Sequence, residues 1–315
     1  MAGVKIIFAG LDSAGKTSFL NALEEKNSTL TKMKPTMGPD RREFSIFGFT
    51  ISNWDLGGQE TYRASYLQEK NRYFTSVNAI FFIIDIQDTR RDDEAIKYFK
   101  SIIDVLNEFN ESPAIVVCWH KCDADIIAKP ETTDRITALD ARVREVLGGT
   151  RKASTFKTSI FEKFSLVKAF SQGLIAVSPK TLIIESQLKD FARKTFSSAV
   201  MVLDSNHLLL GSHTTSPALQ EVCEAIVPHF ATASERVSRY DINLENLVLS
   251  LKPGKYYSEL IQGKEMAVLF IPLKVGTLAF SLLSLTKNPK TLKLLLKHSN
   301  ELADKMQDII KSFYF

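Results

Sequence analysis

The feature that most constrains the fold is a glycine-rich loop between a predicted strand and a predicted helix. The apolar, β-rich run Val4–Ala9 precedes Gly10-Leu11-Asp12-Ser13-Ala14-Gly15-Lys16-Thr17, and helical periodicity continues to Glu25. Consecutive backbone N–H groups at such a helix N-terminus surround phosphate oxygens, and the helix dipole favours their charge. The segment therefore predicts a phosphate-binding loop.

The loop assigns separate roles to its side chains and its backbone. Lys16 is expected to reach the β- and γ-phosphates of a nucleotide, and the Thr17 hydroxyl is expected to bind Mg²⁺. The remaining candidates contribute mainly backbone groups around the phosphates: Asp12, Ser13, Ala14, Gly15 and Ser18.

A second motif ends a later predicted strand, Trp54-Asp55-Leu56-Gly57-Gly58-Gln59-Glu60. Asp55 at a strand end beside the loop is suited to hold Mg²⁺ through water, and the N–H of Gly58 is a candidate donor to a γ-phosphate. Gln59 is expected to orient the attacking water, so Lys16 and Gln59 are the predicted catalytic residues.

A third motif, His120-Lys121-Cys122-Asp123, follows another apolar strand. The Asp123 carboxylate can accept two hydrogen bonds from guanine N1 and N2, a donor pair that adenine lacks, and the Lys121 stem can lie along the ring. Further on, Thr158-Ser159-Ile160 offers a backbone N–H to guanine O6. These residues predict a preference for guanine.

Strands and helices alternate through the first half, a pattern typical of a mostly parallel sheet with helices on both faces. The predicted strands are Val4–Ala9, Glu43–Ile46, Phe49–Asp55, Ala79–Asp85, Ala114–Trp119 and Ser154–Thr158. The predicted helices are Lys16–Glu25, Arg91–Asn107, Thr132–Leu147 and Phe161–Ala176.

The order of elements changes after Ser178-Pro179, which predicts a domain over 1–178 and a second, α+β domain over 180–315. The predicted strands there are Ser198–Leu203, His207–Gly211, Asn243–Leu251, Tyr256–Ile261 and Met266–Ile271. The predicted helices are Lys180–Phe196, Pro217–Val237 and a tail over Lys290–Phe313.

The motifs, in this order, resemble those of small GTPases. The loop, Pro35-Thr36-Met37-Gly38 and the Trp54–Glu60 motif are similar to the Arf family, whereas His120-Lys121-Cys122-Asp123 and Thr158-Ser159-Ile160-Phe161 resemble the Rag/Gtr family. That family carries a C-terminal roadblock domain, whose layout the second half resembles. The resemblance implies a P-loop GTPase domain followed by a roadblock/longin-like domain.

The resemblance also implies a GTP/GDP switch with Mg²⁺, in which Thr36 binds the metal only when GTP is present. No arginine stands just before Thr36, so slow intrinsic hydrolysis is expected, with an activating protein that supplies the missing charge. Exchange proteins and a homo- or heterodimer or scaffold, bound through the second domain, are the expected partners.

Composition limits the classes of partner and the cellular compartment that fit this sequence. Forty basic and 36 acidic residues give a net charge of +4, which does not favour nucleic acid, and three cysteines fit a reducing, cytoplasmic compartment. Met266–Leu285 carries only Lys274, but Pro272 and Gly276 favour two short buried elements over a transmembrane helix. Contact with a membrane is expected to be peripheral at most, through a partner.

Several alternatives remain open. A nucleotide-loaded scaffold with negligible hydrolysis is one, and a P-loop ATPase or nucleoside kinase is another, although Asp123 disfavours the latter. Cys118, His120 and Cys122 alternate and could hold a metal, but no fourth ligand is identifiable. The apolar stripe of the tail helix can serve the core of the second domain, a membrane surface or a partner.

Overall fold

The computed structural model describes residues 4–26, 41–46, 49–55, 59–177, 180–204, 207–254, 265–275 and 278–314. The chain divides into two compact units, Met1–Val177 and Ser178–Phe315.

The first unit is built on a six-stranded sheet in the order β2-β3-β1-β4-β5-β6. All neighbouring strands pair in parallel except β2 and β3. The strands are β1 (Val4–Gly10), β2 (Arg41–Ile46), β3 (Phe49–Asp55), β4 (Ala79–Asp85), β5 (Ala114–His120) and β6 (Ala153–Thr158). The helices are α1 (Lys16–Lys26), α2 (Glu60–Gln68), α3 (Lys70–Phe74), α4 (Asp92–Glu108), α5 (Ala124–Ile127), α6 (Pro130–Leu147) and α7 (Lys163–Val177), with a 3-10 turn at Thr89–Arg91.

Helices cover both faces of this sheet, as the continuous apolar runs of its central strands predict. On one face, α1 and α7 enclose a group of stacked and tilted rings, in which Phe8 and Phe81 lie 4.7 Å apart. On the other face, alternate residues of the central strands, including Phe82, pack with α4 and α6 in one buried cluster. The parallel α/β architecture expected for the first half is confirmed.

The second unit has an antiparallel five-stranded sheet in the order β8-β7-β11-β10-β9. Its strands are β7 (Ala199–Asp204), β8 (Leu209–Thr214), β9 (Leu247–Leu251), β10 (Met266–Val275) and β11 (Leu278–Thr286). Its helices are α8 (Lys180–Thr195), α9 (Pro217–Ser238) and α10 (Leu292–Tyr314), with a 3-10 turn at Pro289–Thr291. The expected α+β organisation is present.

Helices also cover the central part of this second sheet. Helix α8 packs against α10, whereas α9 contacts β7, β8 and β11. Every residue of β7 is buried, so side chains on both of its faces are covered. In α10, Leu295, Leu302 and Met306 are buried, which favours a core role for the tail helix, but Leu296 is 39% exposed and does not belong to the buried stripe.

Several sequence-based boundaries differ from the structure. The strand expected from His207 begins at Leu209, because His207 has a left-handed backbone with φ of 65°. The strand expected from Asn243 begins at Leu247. Helix α7 begins at Lys163 rather than Phe161, because the N–H of Glu162 first bonds the Ser159 carbonyl in a tight turn.

Strand β10 continues through Pro272, where the sequence favoured a break after Ile271. Its pairing with β9 ends at Phe270, so Pro272 lies beyond that ladder and, among the described strands, pairs with Ser281 of β11 alone. A proline is tolerated at such an edge position because its missing N–H removes no bond to a second neighbour.

Helices α2 and α3 had no counterpart in the sequence-based assignment. The strand expected over Tyr256–Ile261 lies outside the described residues. Among the described helices, none is both long and apolar enough to cross a membrane.

Candidate functional site

The glycine-rich loop joins β1 to α1 at the carboxyl edge of the sheet. From β1 the chain passes to β2 and β3 on one side, and from β3 it crosses to β4 on the other side of β1. Such a point in an open parallel sheet leaves a crevice for ligands. Gly10 has φ of +146°, and a Cβ there would lie 2.3 Å from the Ile83 carbonyl oxygen. Only glycine fits this approach of the loop to β4.

The Lys16 side chain is buried inside the loop. Its Nζ donates to the carbonyl oxygens of Gly10 at 3.2 Å and Leu11 at 2.8 Å. The ammonium is thereby held at the centre of the curve that the loop backbone forms. Thr17 and Ser18 follow in the first turn of α1 and are exposed, as is Ser13.

His120, the last residue of β5, lies against the glycine-rich loop, so that a Cβ added to Gly15 would be 2.5 Å from His120 Cδ2. His120 as a whole is 1% exposed, and its Nδ1 lies 2.9 Å from the Thr158 hydroxyl of β6. The ring also lies 5.9 Å from that of Phe19. Burial, reinforced by the nearby Lys121 charge, lowers the pKa of His120 to about 4, so the imidazole is neutral at pH 7.

Lys121 and Asp85 form an ion pair beside this histidine. The backbone of Lys121 is left-handed, with φ of 62°, and its Nζ donates to Asp85 Oδ2 at 2.6 Å. The Lys121 side chain is 35% exposed, so its stem borders solvent at the sheet edge. Asp85 was not singled out from the sequence, although its position at the end of β4 parallels that of His120 on β5.

Asp123 is held by hydrogen bonds from two other segments. The Ser159 hydroxyl donates to Oδ1, and Gln87 Nε2 lies 3.4 Å from Oδ2 and donates to the Lys121 carbonyl at 2.9 Å. The Ser159 N–H bonds the Ser165 hydroxyl at 2.9 Å. Because the Ser159 N–H is already bonded in this way, the Ile160 N–H is the better candidate to donate a hydrogen bond to a ligand.

The remaining predicted residues belong to the segment between β3 and α2. Asp55 ends β3, one strand from β1, and its Cα pairs with Phe8. Gln59 is exposed at the N-cap of α2. Thr36 and Gly58 lie outside the described residues.

A further set of charged residues lies beside the loop. Arg91 Nη2 donates to Asp12 Oδ1 at 2.7 Å, and its Nε donates to Glu94 Oε2 at 2.7 Å. Glu94 also accepts from Arg63 of α2. Sequence reasoning missed these contacts, because Asp12 and Arg91 are 79 residues apart and no local pattern relates them.

The alternative of a metal site at Cys118 and Cys122 gains no support. The described residues contain no group of three or more His, Cys, Asp or Glu side chains placed to hold a metal ion. Burial raises the pKa of Cys122 to about 11 and that of Cys118 further, which disfavours the thiolate form that binds metals.

A sequence profile described as the Gtr1/RagA G protein conserved region matches residues 5–238. The chain belongs to this family. It is a Rag-type, Arf-like small GTPase, and small GTPases bind GTP and GDP and act as GTP hydrolases.

Two relatives and one solved structure illustrate the similarity. The chain is 25% identical over 224 residues to Ras-related GTP-binding protein A of Dictyostelium discoideum, covering 69% of this chain and 72% of that protein. It is 36% identical over 91 residues to ADP-ribosylation factor-like protein 3 of Chlamydomonas reinhardtii, covering 29% of this chain and 48% of that protein.

The structure is also similar to that of the Arl6 BBS3 small GTPase of Trypanosoma brucei with a bound nucleotide analogue, GppNp. The TM-score is 0.45 at 16% identity, and the match covers 56% of this chain and 98% of that one.

Proposed function

We propose that this Rag-type GTPase is a molecular switch that binds GTP with Mg²⁺ and hydrolyses it slowly to GDP and phosphate. The observation that carries the proposal is the close approach of His120 to Gly15, where a Cβ added to the glycine would lie 2.5 Å from His120 Cδ2. This approach brings the base motif next to the phosphate loop. Lys16 and Asp123 thereby lie at one edge of one sheet, as the phosphate and base ends of a single nucleotide site require.

At the phosphate end, Lys16 would exchange its contacts with loop carbonyls for the β- and γ-phosphates. The helix N-terminus and the N–H groups from Asp12 to Ser18 would surround the remaining phosphate oxygens. The left-handed φ of Ser13, 59°, and of Gly15, +97°, support this role, because such turns direct successive N–H groups to one side.

The donor set at this end also fits Mg²⁺. Hydroxyl and carboxylate oxygens are ligands that this ion prefers, and Thr17 and Asp55 supply one of each from the first turn of α1 and the end of β3. Thr36 is the third proposed ligand, and Gly58 would donate its N–H to the γ-phosphate. When bound, the metal neutralises charge on the phosphates.

At the base end, Asp123 would accept from guanine N1 and N2, and the Ile160 N–H would donate to O6. The Ser159 hydroxyl supports this assignment by orienting the Asp123 carboxylate. The Lys121 stem would lie along the ring while its ammonium keeps the contact with Asp85. His120 would act indirectly, because its ring packs against the loop and holds the loop in place.

Hydrolysis would depend on Gln59, which would orient the attacking water. Slow turnover is expected because the positions before Thr36 are Lys32, Met33, Lys34 and Pro35, so no arginine there can stabilise charge on the transferred phosphate. An activating protein would supply that charge, and an exchange protein would release GDP.

The second unit would mediate dimerisation or scaffold docking as a roadblock-like domain. Strand β9 ends the described order of the sheet, and Val248 and Leu249 on it are 48% and 36% exposed. An exposed edge strand with apolar side chains can pair with a second chain. A cytoplasmic protein recruited to a membrane only through a partner would suit this arrangement.

The first test combines nucleotide identification with turnover. Nucleotide extracted from the purified full chain is expected to be GDP or GTP, and adenine nucleotide would contradict the role of Asp123. Single-turnover hydrolysis is expected for the wild type, with loss of tight binding in Thr17→Asn and loss of hydrolysis alone in Gln59→Leu. A wild type no faster than Gln59→Leu would favour the scaffold alternative.

The second test addresses association. Light scattering of the full chain is expected to show a dimer that Val248→Glu converts to a monomer, whereas Glu245→Lys, a surface change just before β9, keeps it. A monomeric wild type would count against self-association and leave docking on a different partner to be tested by capture of a defined second roadblock chain.

A further inference from the structure

Four charged side chains connect the phosphate loop to α2 through consecutive contacts. Arg91 donates to Asp12 in the loop at 2.7 Å and to both carboxylate oxygens of Glu94, at 2.7 and 3.1 Å. Glu94, in the first turn of α4, also accepts from Nη2 of Arg63 in α2. The order Asp12, Arg91, Glu94, Arg63 alternates in sign, so each charge lies next to opposite ones.

Of these four charged side chains, that of Arg63 in α2 is the most buried. The Arg63 side chain is only 10% exposed, whereas those of Glu94 and Arg91 are 38% and 29% exposed. The Arg63 guanidinium lies 5.3 Å from the centre of the Tyr98 ring. Exposed ion pairs contribute little, but a buried guanidinium needs its carboxylate, since removing the partner leaves a desolvated charge.

Arg63 lies one helical turn after Gln59, and its N–H donates to the Gln59 carbonyl at 2.9 Å. Gln59 itself caps the N-terminus of α2 without a side-chain capping bond. The position of this first turn therefore depends on what holds Arg63. Within the described residues, the carboxylate that does so belongs to Glu94.

We propose that Glu94 and Arg91 are positioning residues, which fix the first turn of α2, and with it Gln59, relative to the phosphate loop. This inference rests on the proposed role of Gln59 in hydrolysis. The lowered pKa values of Asp12 and Glu94, caused mainly by their hydrogen bonds from Arg91, agree with ionised partners at neutral pH.

The test compares Glu94→Ala with Asp93→Ala. Both variants remove a carboxylate from the first turn of α4, but Asp93 is 95% exposed and pairs with Arg142 on the surface. Glu94→Ala is expected to slow single-turnover hydrolysis about tenfold, which corresponds to about 1.4 kcal/mol, with GDP affinity changed less than twofold. Asp93→Ala should leave both unchanged, and Glu94→Asp should recover part of the rate.

Two readouts separate positioning from general damage. In a Gln59→Leu background, Glu94→Ala should cause no further loss of rate, because it acts through Gln59. Hydrogen exchange of the α2 amides should be faster in Glu94→Ala than in Asp93→Ala, whether or not GTP is hydrolysed. Additive rate losses, or unchanged exchange in α2, would overturn the inference. A wild type without hydrolysis overturns the proposed function instead, and the anchoring of α2 is then decided by exchange alone.

Discussion

The imidazole of His120 lies so close to Gly15 that a Cβ added to this glycine would be 2.5 Å from His120 Cδ2 and 2.7 Å from Nε2. His120 belongs to the proposed base motif, and Gly15 belongs to the phosphate loop, 105 positions earlier in the sequence. The buried ring therefore supports the loop directly, and changes at either residue should affect nucleotide binding at both ends.

Gly15→Ala is expected to destabilise the protein more than Gly148→Ala. Both glycines have positive φ, +97° and +61°, but a Cβ at Gly148 would meet nothing within 4 Å. We expect about 1 kcal/mol for Gly148→Ala from backbone strain and roughly 3 kcal/mol for Gly15→Ala, because the clash adds overpacking. Urea unfolding measures both.

The same pair of variants should differ in nucleotide affinity. Gly15→Ala is expected to weaken GDP binding strongly, whereas Gly148→Ala should leave it unchanged. Combining Gly15→Ala with His120→Ala should recover part of the lost stability, because the atoms that the new Cβ meets are removed. Equal effects at the two glycines would show that His120 does not limit the loop.

His120 should also make stability depend on pH. Its folded-state pKa is about 4, below the ordinary 6.5, so the unfolded chain takes up a proton that the folded protein excludes. The stabilisation is complete above pH 6.5 and is lost as the pH falls toward 4, with an upper limit of roughly 3 kcal/mol. The measurement is the free energy of unfolding between pH 7 and 4.5.

His120→Asn is the control for this pH dependence, because asparagine does not titrate. Carboxylates that titrate in the same range contribute equally to both proteins and cancel in the difference. We expect the wild type to lose more stability than His120→Asn on acidification, and identical slopes would contradict a buried neutral imidazole.

Asp123→Asn should change base selection. The amide replaces one acceptor with a donor, so it no longer matches the N1 and N2 donors of guanine and should instead accept xanthine, which carries a carbonyl at position 2. GDP affinity is expected to fall at least a hundredfold, while xanthosine diphosphate affinity rises. Asp125→Asn is the matched control for competition titrations, because Asp125 is exposed and lies in the first turn of the short helix that Asp123 precedes.

The sequence predicted the first sheet well, because strands covered on both faces are continuous apolar runs. Ala79–Asp85 has the same bounds in both, and β5 extends only to include His120. By contrast, α2 and α3 are short and mix charged residues with buried Tyr66, Tyr73 and Phe74, so no long periodic stretch announces them.

The sequence predicted the residues of the candidate site that lie within motifs, but it did not predict the contacts between distant segments. Lys16 and His120 belong to short contiguous motifs, and each motif predicts the strand, loop or helix in which its residues lie. The pairing of Lys121 with Asp85, and of Arg91 with Asp12, depends on which strands become neighbours in the sheet. Such contacts follow from topology, and a single sequence carries no local pattern for them.

The second unit offers a test of packing that is independent of nucleotide. Gly211 of β8 lies under α8, where a Cβ would be 2.7 Å from Ile184 Cγ2 and 3.6 Å from Leu188 Cδ1. Ile184 and Leu188 are fully buried, so α8 cannot keep its distance from β8 if this residue gains a side chain. We expect Gly211→Ala to cost about 2 kcal/mol, measured by urea unfolding of the full chain.

Gly254→Ala is the control, because a Cβ there would meet nothing within 4 Å. Ile184→Leu should relieve part of the cost of Gly211→Ala, since leucine lacks the methyl group on Cβ that makes the closest contact. GDP affinity should stay the same in all three variants, because Lys16 and Asp123 belong to the other unit. A Gly211→Ala protein as stable as Gly254→Ala would mean that α8 can move away from β8 without loss of packing.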